Sequence, residues 1–513
     1  MTMKKYFILA VAAIAVLSGC KKDNNGEAGS FTATIEQSGD KTTLGSNNYP
    51  NWVLGDKIKI EAVEFSASTV SGTTATFTSS NTVTAGADNK YHAYYPASLY
   101  NGATATLPAI QTYDATANGI SNLPMYAENT DHNLVFKNLC GVLAITVQQS
   151  QMTKVKSITV KANGKQLNGA FTVSGYSTNN PTINFSSPST SNAADTMVTL
   201  LMENAVTIPD GGQTFYIAIP AATDYTTLTI EVMGKFTEGS TEKTTAKRMR
   251  TNSTTKTIAR NTIYSISFGS TTVTAVTSGT ALVKSASGRT TCDWVQLWDG
   301  GPLWATVNVG ATISDYNNLS ATAETVRGGS SISNYTTANV GGLYCWGGKT
   351  FTNFRVGTGT AQDGENADYY YSDAIGNIAG TDRDIAKGLW GSNWRMPTQA
   401  ELNMLKSPRY GYCTWSSGLD TKGTSPNTIQ GRTVTGAGSV YGSNSIFLPA
   451  AGWFYDNAML DGVDEYGYYW SSTPLDSEEA DEAYYLYFDD DNPNADDAPR
   501  EYGCSVRAVL AVD

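Results

Sequence analysis

The stretch Gly388-Leu-Trp-Gly-Ser-Asn-Trp-Arg-Met-Pro-Thr-Gln-Ala-Glu-Leu-Asn-Met-Leu405 joins an aromatic, glycine-bearing turn to a helix whose start is clearly marked. Pro397 presets the backbone where the helix begins, Thr398 supplies a capping oxygen, and Glu401 three residues on completes a capping box. Leu402 and Leu405 then open an apolar stripe, so a helix is expected here. Trp390, Trp394 and Arg395 just before it admit two readings, a binding surface or a packed corner that fixes the helix to neighbouring strands.

Outward from this stretch, the 513-residue chain is too long for one core and is expected to divide into two or three domains. The chain is rich in Gly, Thr, Ser, Tyr and Asn, and Lys, Arg and Glu are sparse, a balance that favours short strands joined by turns. The net charge of −12 excludes a nucleic-acid partner, because phosphate binding needs a basic surface. Only two histidines occur, His92 and His132, and neither lies in the C-terminal half. Ser-His or Cys-His nucleophilic catalysis and a histidine zinc site are therefore excluded there, and no catalytic residue is expected.

Residues 1–20 have the form of a targeting segment: Lys4 and Lys5, an apolar run from Tyr6 to Leu17 too short to span a bilayer, then Leu17-Ser18-Gly19-Cys20. That tetrad resembles the lipobox of bacterial lipoproteins. The resemblance implies acylation of Cys20 and a membrane tether, with an outer-membrane, cell-surface location; several acyl chains hold a protein where one would not. Residues 21–30 are polar and read as a flexible spacer.

From Phe31 to Phe268, segments such as Phe31–Ile35, Lys57–Ile60, Leu143–Val147, Ser157–Val160, Thr214–Ile219 and Thr227–Val232 alternate apolar and polar residues, the pattern of half-buried strands in antiparallel β-sandwiches. Trp52-Val-Leu-Gly-Asp-Lys-Ile58, Tyr94-Tyr-Pro96, Leu123-Pro-Met125, Phe136-Lys-Asn-Leu-Cys-Gly-Val-Leu143, Phe215-Tyr-Ile-Ala-Ile-Pro220 and Arg260-Asn-Thr-Ile-Tyr264 together resemble the fimbrillin-like proteins of the Bacteroidales. That resemblance implies a pair of β-sandwich subdomains over 31–270 and pilin partners joined by strand complementation. Two departures favour a terminal or stand-alone protein over a repeating stalk subunit. The first Arg is Arg248, far from where such pilins are cleaved, and the chain runs on well past the last strand of the family.

Residues 271–291 read as a Ser/Thr/Ala/Gly linker in which Thr272–Val276 can add an edge strand. Beyond it, Leu303-Trp-Ala-Thr-Val-Asn-Val-Gly310, Tyr344-Cys-Trp-Gly347, Trp394-Arg-Met-Pro-Thr398, Ser445-Ile-Phe-Leu-Pro-Ala-Ala-Gly452, Gly467-Tyr-Tyr-Trp-Ser-Ser472 and Cys504-Ser-Val-Arg507 occur in an order that resembles the Fibrobacter succinogenes major paralogous domain. This implies a C-type-lectin-like α+β domain over 292–513. The expected class is thus mainly β throughout. The lectin-like fold also hosts formylglycine-generating oxidases, whose paired active-site cysteines find no match among Cys292, Cys345, Cys413 and Cys504.

Two candidate sites follow. The run from Asp476 to Glu501 carries eleven carboxylates and the single Arg500. Asp489, Asp490, Asp491 and Asp496 are the candidate ligands for calcium, which takes six to eight oxygens; a solvated acidic loop that guards an edge strand is the alternative. The second candidate is aromatic. Trp453, Phe454 and Tyr455 fall in an interval that reads as a turn and offer flat rings to a glycan or a protein ligand, whereas Trp470 and Phe447 read as core. The expected function is a fimbrial tip or stand-alone adhesin, with a non-binding pilus anchor as the structural alternative.

Overall fold

The computed structural model describes residues 29–36, 51–115, 123–188, 192–252, 254–268, 273–284, 290–319, 324–325, 331–332, 335–348, 351, 375–406, 412–455, 459–475, 481–491 and 493–512. Cys20 and residues 21–28 of the spacer lie outside them. The described chain is mainly β, as its composition and alternation lead one to expect. No helix among the described residues is long and apolar enough to cross a membrane.

The first unit is a closed seven-stranded barrel. Its opening strand, Ser30–Ile35, buries Phe31, Ala33 and Ile35 while the residues between them face outward, the period-2 pattern of a one-sided strand. This strand pairs antiparallel with Thr74–Thr78 and parallel with Asn133–Asn138, which closes the sheet and removes its free edges. The Trp52 Nε1–H donates to the Ala33 carbonyl at 3.1 Å, and the Trp52 ring meets Phe77, Tyr95 and Phe136 edge-on. The expected first sandwich is therefore a barrel. Alternation reports which face is buried but not which strands pair, so closure by a parallel contact between the first and last strands leaves no local mark.

The second unit is a sandwich of a six-stranded and a three-stranded sheet. Leu143, Ile145, Val147, Ile158, Val160, Phe215, Ile217, Ile230 and Val232 fill the space between them. The free side of the Gln213–Pro220 strand is met by a side chain: Gln111 donates to Ala218 O at 2.7 Å and accepts from Ala218 N at 3.0 Å, as a neighbouring strand would.

Thr274–Val276 adds to the sandwich as an edge strand beside Thr241–Asn252, as its sequence allowed. Ser278–Leu282 already belongs to the next sheet, paired with Thr291–Gln296. One residue, Thr277, separates the two strands, and its carbonyl accepts from Gln296 N at 2.7 Å and Asn444 Nδ2 at 3.0 Å.

In the C-terminal region Trp294, Trp304, Trp346, Trp390, Trp394 and Trp470 are buried at the centre. Trp394–Arg395 is a short strand on Val509–Leu510, and the predicted helix follows as Gln399–Lys406. Its capping box is reciprocal: Glu401 N donates to Thr398 Oγ1 at 3.3 Å and Thr398 N to Glu401 Oε2 at 2.8 Å. Leu402 and Leu405 are buried beneath it. The Arg395 guanidinium forks onto Glu401 at 2.8 and 2.7 Å, and the Trp390 and Trp394 rings meet edge-on at 5.2 Å. These three residues form a packed corner, not an exposed surface. Asp384, wholly buried, fastens this corner from the other side by accepting from Gly380 N, Lys387 N and Met396 N.

Candidate functional site

A five-stranded sheet with the order Met459–Val463, Ala451–Tyr455, Gly467–Pro474, Glu482–Phe488, Asn494–Pro499 carries both candidate sites. Alternation divides its aromatic residues between two faces. Tyr469, Leu486 and Phe488 pack with Leu402 and Leu405 of the capped helix. Tyr468, Trp470 and Tyr485 lie against the tryptophan-rich core, with Trp453, Tyr466, Tyr487 and Tyr502 at its margin. Gly452 permits the turn of the chain that brings Trp453 there. It sits at φ +66°, and a Cβ would meet Asp461 O at 2.2 Å.

At this margin the rings form a connected face. Trp453 stacks on Tyr468 at 4.2 Å with the planes 7° apart, and Tyr502 meets Trp453 edge-on at 5.1 Å. Tyr455 lies 5.6 Å from Trp453, Tyr487 5.2 Å from Tyr468, and Tyr466 5.8 Å from Tyr487. Trp453, Tyr455, Tyr466, Tyr487 and Tyr502 are half-buried, while Tyr468 and Tyr485 are buried below them. Burial pushes the phenols of Tyr468, Tyr485 and Tyr487 far above the usual value, and nearby carboxylates and tyrosines add to the effect, so these three rings stay neutral. Mutual stacking holds the rings in place, so a flat apolar ligand surface would meet a preformed platform.

The acidic turn lies at the end of the same sheet. Asp489, Asp490 and Asp491 have ligand oxygens within 4.8 Å of one another, a spacing that a cation can bridge. Arg432 lies beneath them, 2% exposed, donating to Asp489 O at 2.8 Å, to Asp491 O at 3.5 Å and to Ser416 O. Burial lowers the pKa of this guanidinium, whereas Asp420 and the three turn carboxylates oppose that effect. Two carbonyls that a calcium loop would lend to its ion are thus already engaged with an internal cation. What remains for a metal is the three carboxylates, and Asp490 and Asp491 are exposed.

Residues 440–509, which include this whole sheet, match the model of a family described as a domain of unknown function, DUF8237. No curated protein matches the chain. Among solved structures, a candidate cell adhesion protein from Bacteroides ovatus ATCC 8483 is similar at 13% identity over 49% of this chain and 96% of its own, with a TM-score of 0.27. A candidate cell adhesion protein from Bacteroides thetaiotaomicron VPI-5482 is similar at 17% identity over 47% of this chain and 92% of its own, with a TM-score of 0.21. A fimbrial protein from Bacteroides ovatus ATCC 8483 is similar at 10% identity over 95% of this chain and 100% of its own, with a TM-score of 0.19.

The sequence-derived candidates separate cleanly in this geometry. Trp453 and Tyr455 lie on the aromatic face. Phe454 is a correction: the interval read as a turn is a strand, Ala451–Tyr455, and alternation turns Phe454 inward, 1% exposed, away from any ligand. Asp496 is a second correction. It stands on the Asn494–Pro499 strand opposite Tyr485, apart from the Asp489–Asp491 group. Asp476, Glu478 and Glu479 lie outside the described residues. Trp470 and Phe447 are core, as read. Tyr485, Tyr487 and Arg432 were not foreseen. The period-2 spacing in Ala483-Tyr-Tyr-Leu-Tyr-Phe488 carries the signal for the two tyrosines; Arg432, 57 residues from Asp489 along the chain, has none.

The remaining reactive groups are occupied structurally. His92 shares hydrogen bonds with Tyr126 OH at 2.6 Å and Asp88 at 3.0 Å, and His132 lies against the Phe31 ring. The five described cysteines are free, and all but Cys345 are buried. Burial pushes the Cys413 thiol up to about 12 and the Cys504 thiol well above its usual value, the reverse of what a nucleophilic thiolate needs.

Proposed function

We propose that this chain is a lipid-tethered cell-surface adhesin in which a fimbrillin-like stem (31–270) presents a lectin-like head (292–513), and that the head binds a glycan or a surface protein through the aromatic face around Trp453. The observation that carries the proposal is the set of half-buried rings, Trp453, Tyr455 and Tyr487, packed on one another and on the buried Tyr468 across the strands of one sheet. Such a surface places large, rigid contact area where little conformational freedom is lost on binding. A terminal or stand-alone role fits the stem better than a repeating one. Its barrel is already completed by its own strand Ser30–Ile35, which an incoming pilin strand would have to displace. Calcium is not required by this reading, because the aromatic face needs no ion and Arg432 already occupies two carbonyls of the acidic turn. The buried, protonated thiols do not favour an oxidase.

The test is binding of the full chain to glycan and host-protein arrays, with and without a calcium chelator, alongside Trp453→Ala and Tyr455→Ala. Binding that survives chelation and weakens in both variants is expected. Absence of any bound ligand, or binding indifferent to both substitutions, would sink the proposal.

A further inference from the structure

The aromatic face stands in an unusual field of charge. From Arg432 to Arg500 the intervening chain has fourteen Asp and Glu and no Lys, Arg or His. The two arginines that bound this interval are 2% and 1% exposed and are both engaged internally, Arg432 with the acidic turn and Arg500 over the Trp346 ring at 4.6 Å. The interval therefore presents no cation to solvent.

Register places two of its carboxylates on the aromatic face itself. Asp461 stands directly across from Trp453, and Asp496 directly across from Tyr485. Opposed residues of an antiparallel pair project to the same side with their Cβ atoms about 5 Å apart. Both carboxylates are exposed. Asp464, by contrast, is engaged with Tyr335 OH and Gln430 N and serves the fold.

Resting on the reading of this face as the binding surface, we infer that its ligand is a Lys- or Arg-bearing polypeptide segment, whose cations lie over the rings of Trp453, Tyr455 and Tyr466 with Asp461 and Asp496 as counter-charges. The face of an aromatic ring attracts ammonium and guanidinium groups, tryptophan most of all. A sulfated or carboxylated glycan meets the opposite: every charge of this interval repels it. A neutral sugar stacks on the rings but draws nothing from the carboxylates' charge. The extent of the face selects a chain over a single ammonium ion. Neighbouring centroids along Tyr455, Trp453, Tyr468 and Tyr487 are 5.6, 4.2 and 5.2 Å apart. Asp461 and Asp496 stand on the two outer strands of this five-stranded sheet, four strand spacings or about 19 Å apart, a span that a chain bearing several cations can bridge and one ammonium ion cannot. The Asp489–Asp491 turn borders the face, with Asp489 accepting from the Tyr487 hydroxyl at 3.0 Å, and adds to the same negative field.

The experiment uses the full chain and a fluorescein-labelled alternating Lys-Ser peptide read by fluorescence anisotropy. A Glu-Ser peptide, a neutral gluco-oligosaccharide and a chitosan oligosaccharide serve as the other probes. The Lys-Ser peptide is expected to bind and to weaken as salt rises. Trp453→Ala, Tyr455→Ala, Asp461→Asn and Asp496→Asn should each weaken it roughly two- to fivefold, the range of a single exposed cation–π or ion contact. Glu203→Gln, the same change of charge on the exposed end of the stem strand Met197–Thr207, should leave it within about twofold. The two exposed Asp→Asn variants keep the test open if Trp453→Ala does not fold. Equal weakening by Glu203→Gln and Asp496→Asn would mean attraction to bulk charge and would overturn the inference. Tighter, Trp453-dependent binding of the neutral or the amino sugar would overturn the polypeptide assignment while leaving the face as the binding surface. If no probe is sensitive to Trp453 or Tyr455, the binding-face reading itself fails.

Discussion

Removing Arg395 should destabilise the C-terminal region far more than the loss of an exposed charge would. The guanidinium and the Glu401 carboxylate are 9% and 15% exposed and joined by two hydrogen bonds of 2.8 and 2.7 Å. Arg395→Ala leaves Glu401 charged in a site built for its partner, a change that costs about 3–5 kcal/mol in buried pairs. Glu401→Ala should cost a similar amount and in addition removes half the capping box, worth about 1 kcal/mol. Combining the two Ala substitutions leaves neither charge buried without its partner and should cost less than their sum, giving a coupling above about 2 kcal/mol. Denaturant unfolding followed by tryptophan fluorescence reads this region, because every tryptophan except Trp52 lies at or beyond position 294. Acid provides the second reading. Burial alone would raise the Glu401 pKa; the Arg395 hydrogen bonds and charge, with the Thr398 contacts, outweigh it and hold the pKa below the usual carboxylate range. A depressed folded-state pKa contributes stability above the unfolded value of about 4.3, and that stability is lost as pH falls through the lower folded value. In Arg395→Ala only burial and the Thr398 contacts remain, so this acid-linked loss should shrink or reverse sign. Single-mutant effects that add within about 0.5 kcal/mol, or identical acid profiles for the two proteins, would refute the pair's role.

Three further perturbations have definite outcomes. Arg432→Met removes the donor to the Asp489 and Asp491 carbonyls and should cost about 2 kcal/mol; millimolar calcium should raise the melting temperature of this variant and leave the parent unmoved. Phe31→Ala empties a fully buried position in the strand that closes the barrel and should cost about 3–5 kcal/mol, with faster amide exchange in the paired strands Thr74–Thr78 and Asn133–Asn138. Gln111→Ala should cost only about 1 kcal/mol, yet it frees the backbone of Ala218 at the sheet edge, so self-association measured by analytical ultracentrifugation should increase.

What was legible in the sequence is what local chemistry dictates. The Thr398–Glu401 box and the Leu402/Leu405 stripe appear as read, because a cap and its helix lie within a few residues of each other. Strand segments such as Leu143–Val147 appear for the same reason. The failures share one cause, which is that pairing acts over long range. Trp453-Phe-Tyr455 reads as a turn because glycines and aspartates flank it, and only pairing to Met459–Val463 and Gly467–Pro474 makes it a strand and sends Phe454 inward. Asp489–Asp491 reads as an open ion loop, because the guanidinium that occupies two of its carbonyls is donated by a strand far upstream.

The junction between the two halves shows the same limit and has the largest consequence for function. Ser157, Thr159 and Thr199 alternate with apolar residues as a solvent-facing row would, yet they are 7%, 6% and 4% exposed. Ala281, Asn393, Leu510 and Ala511 of the C-terminal region cover them. Met233, Ala246 and Val276 of the sandwich share an apolar cluster with Trp294, Lys243 reaches Asp299 at 2.6 Å, and Gln296 donates to Thr244 O at 3.0 Å. A Ser/Thr/Gly-rich composition between two domains normally predicts free relative motion, but here a strand on each side of Thr277 is committed to a different sheet and the faces beside them are in contact. In the proposed adhesin, a load applied at a tethered N-terminus would therefore pass into the head through paired strands and packed side chains. The aromatic face would keep a fixed orientation to the stem, and a multivalent surface could then gain avidity without each head first paying for orientational freedom.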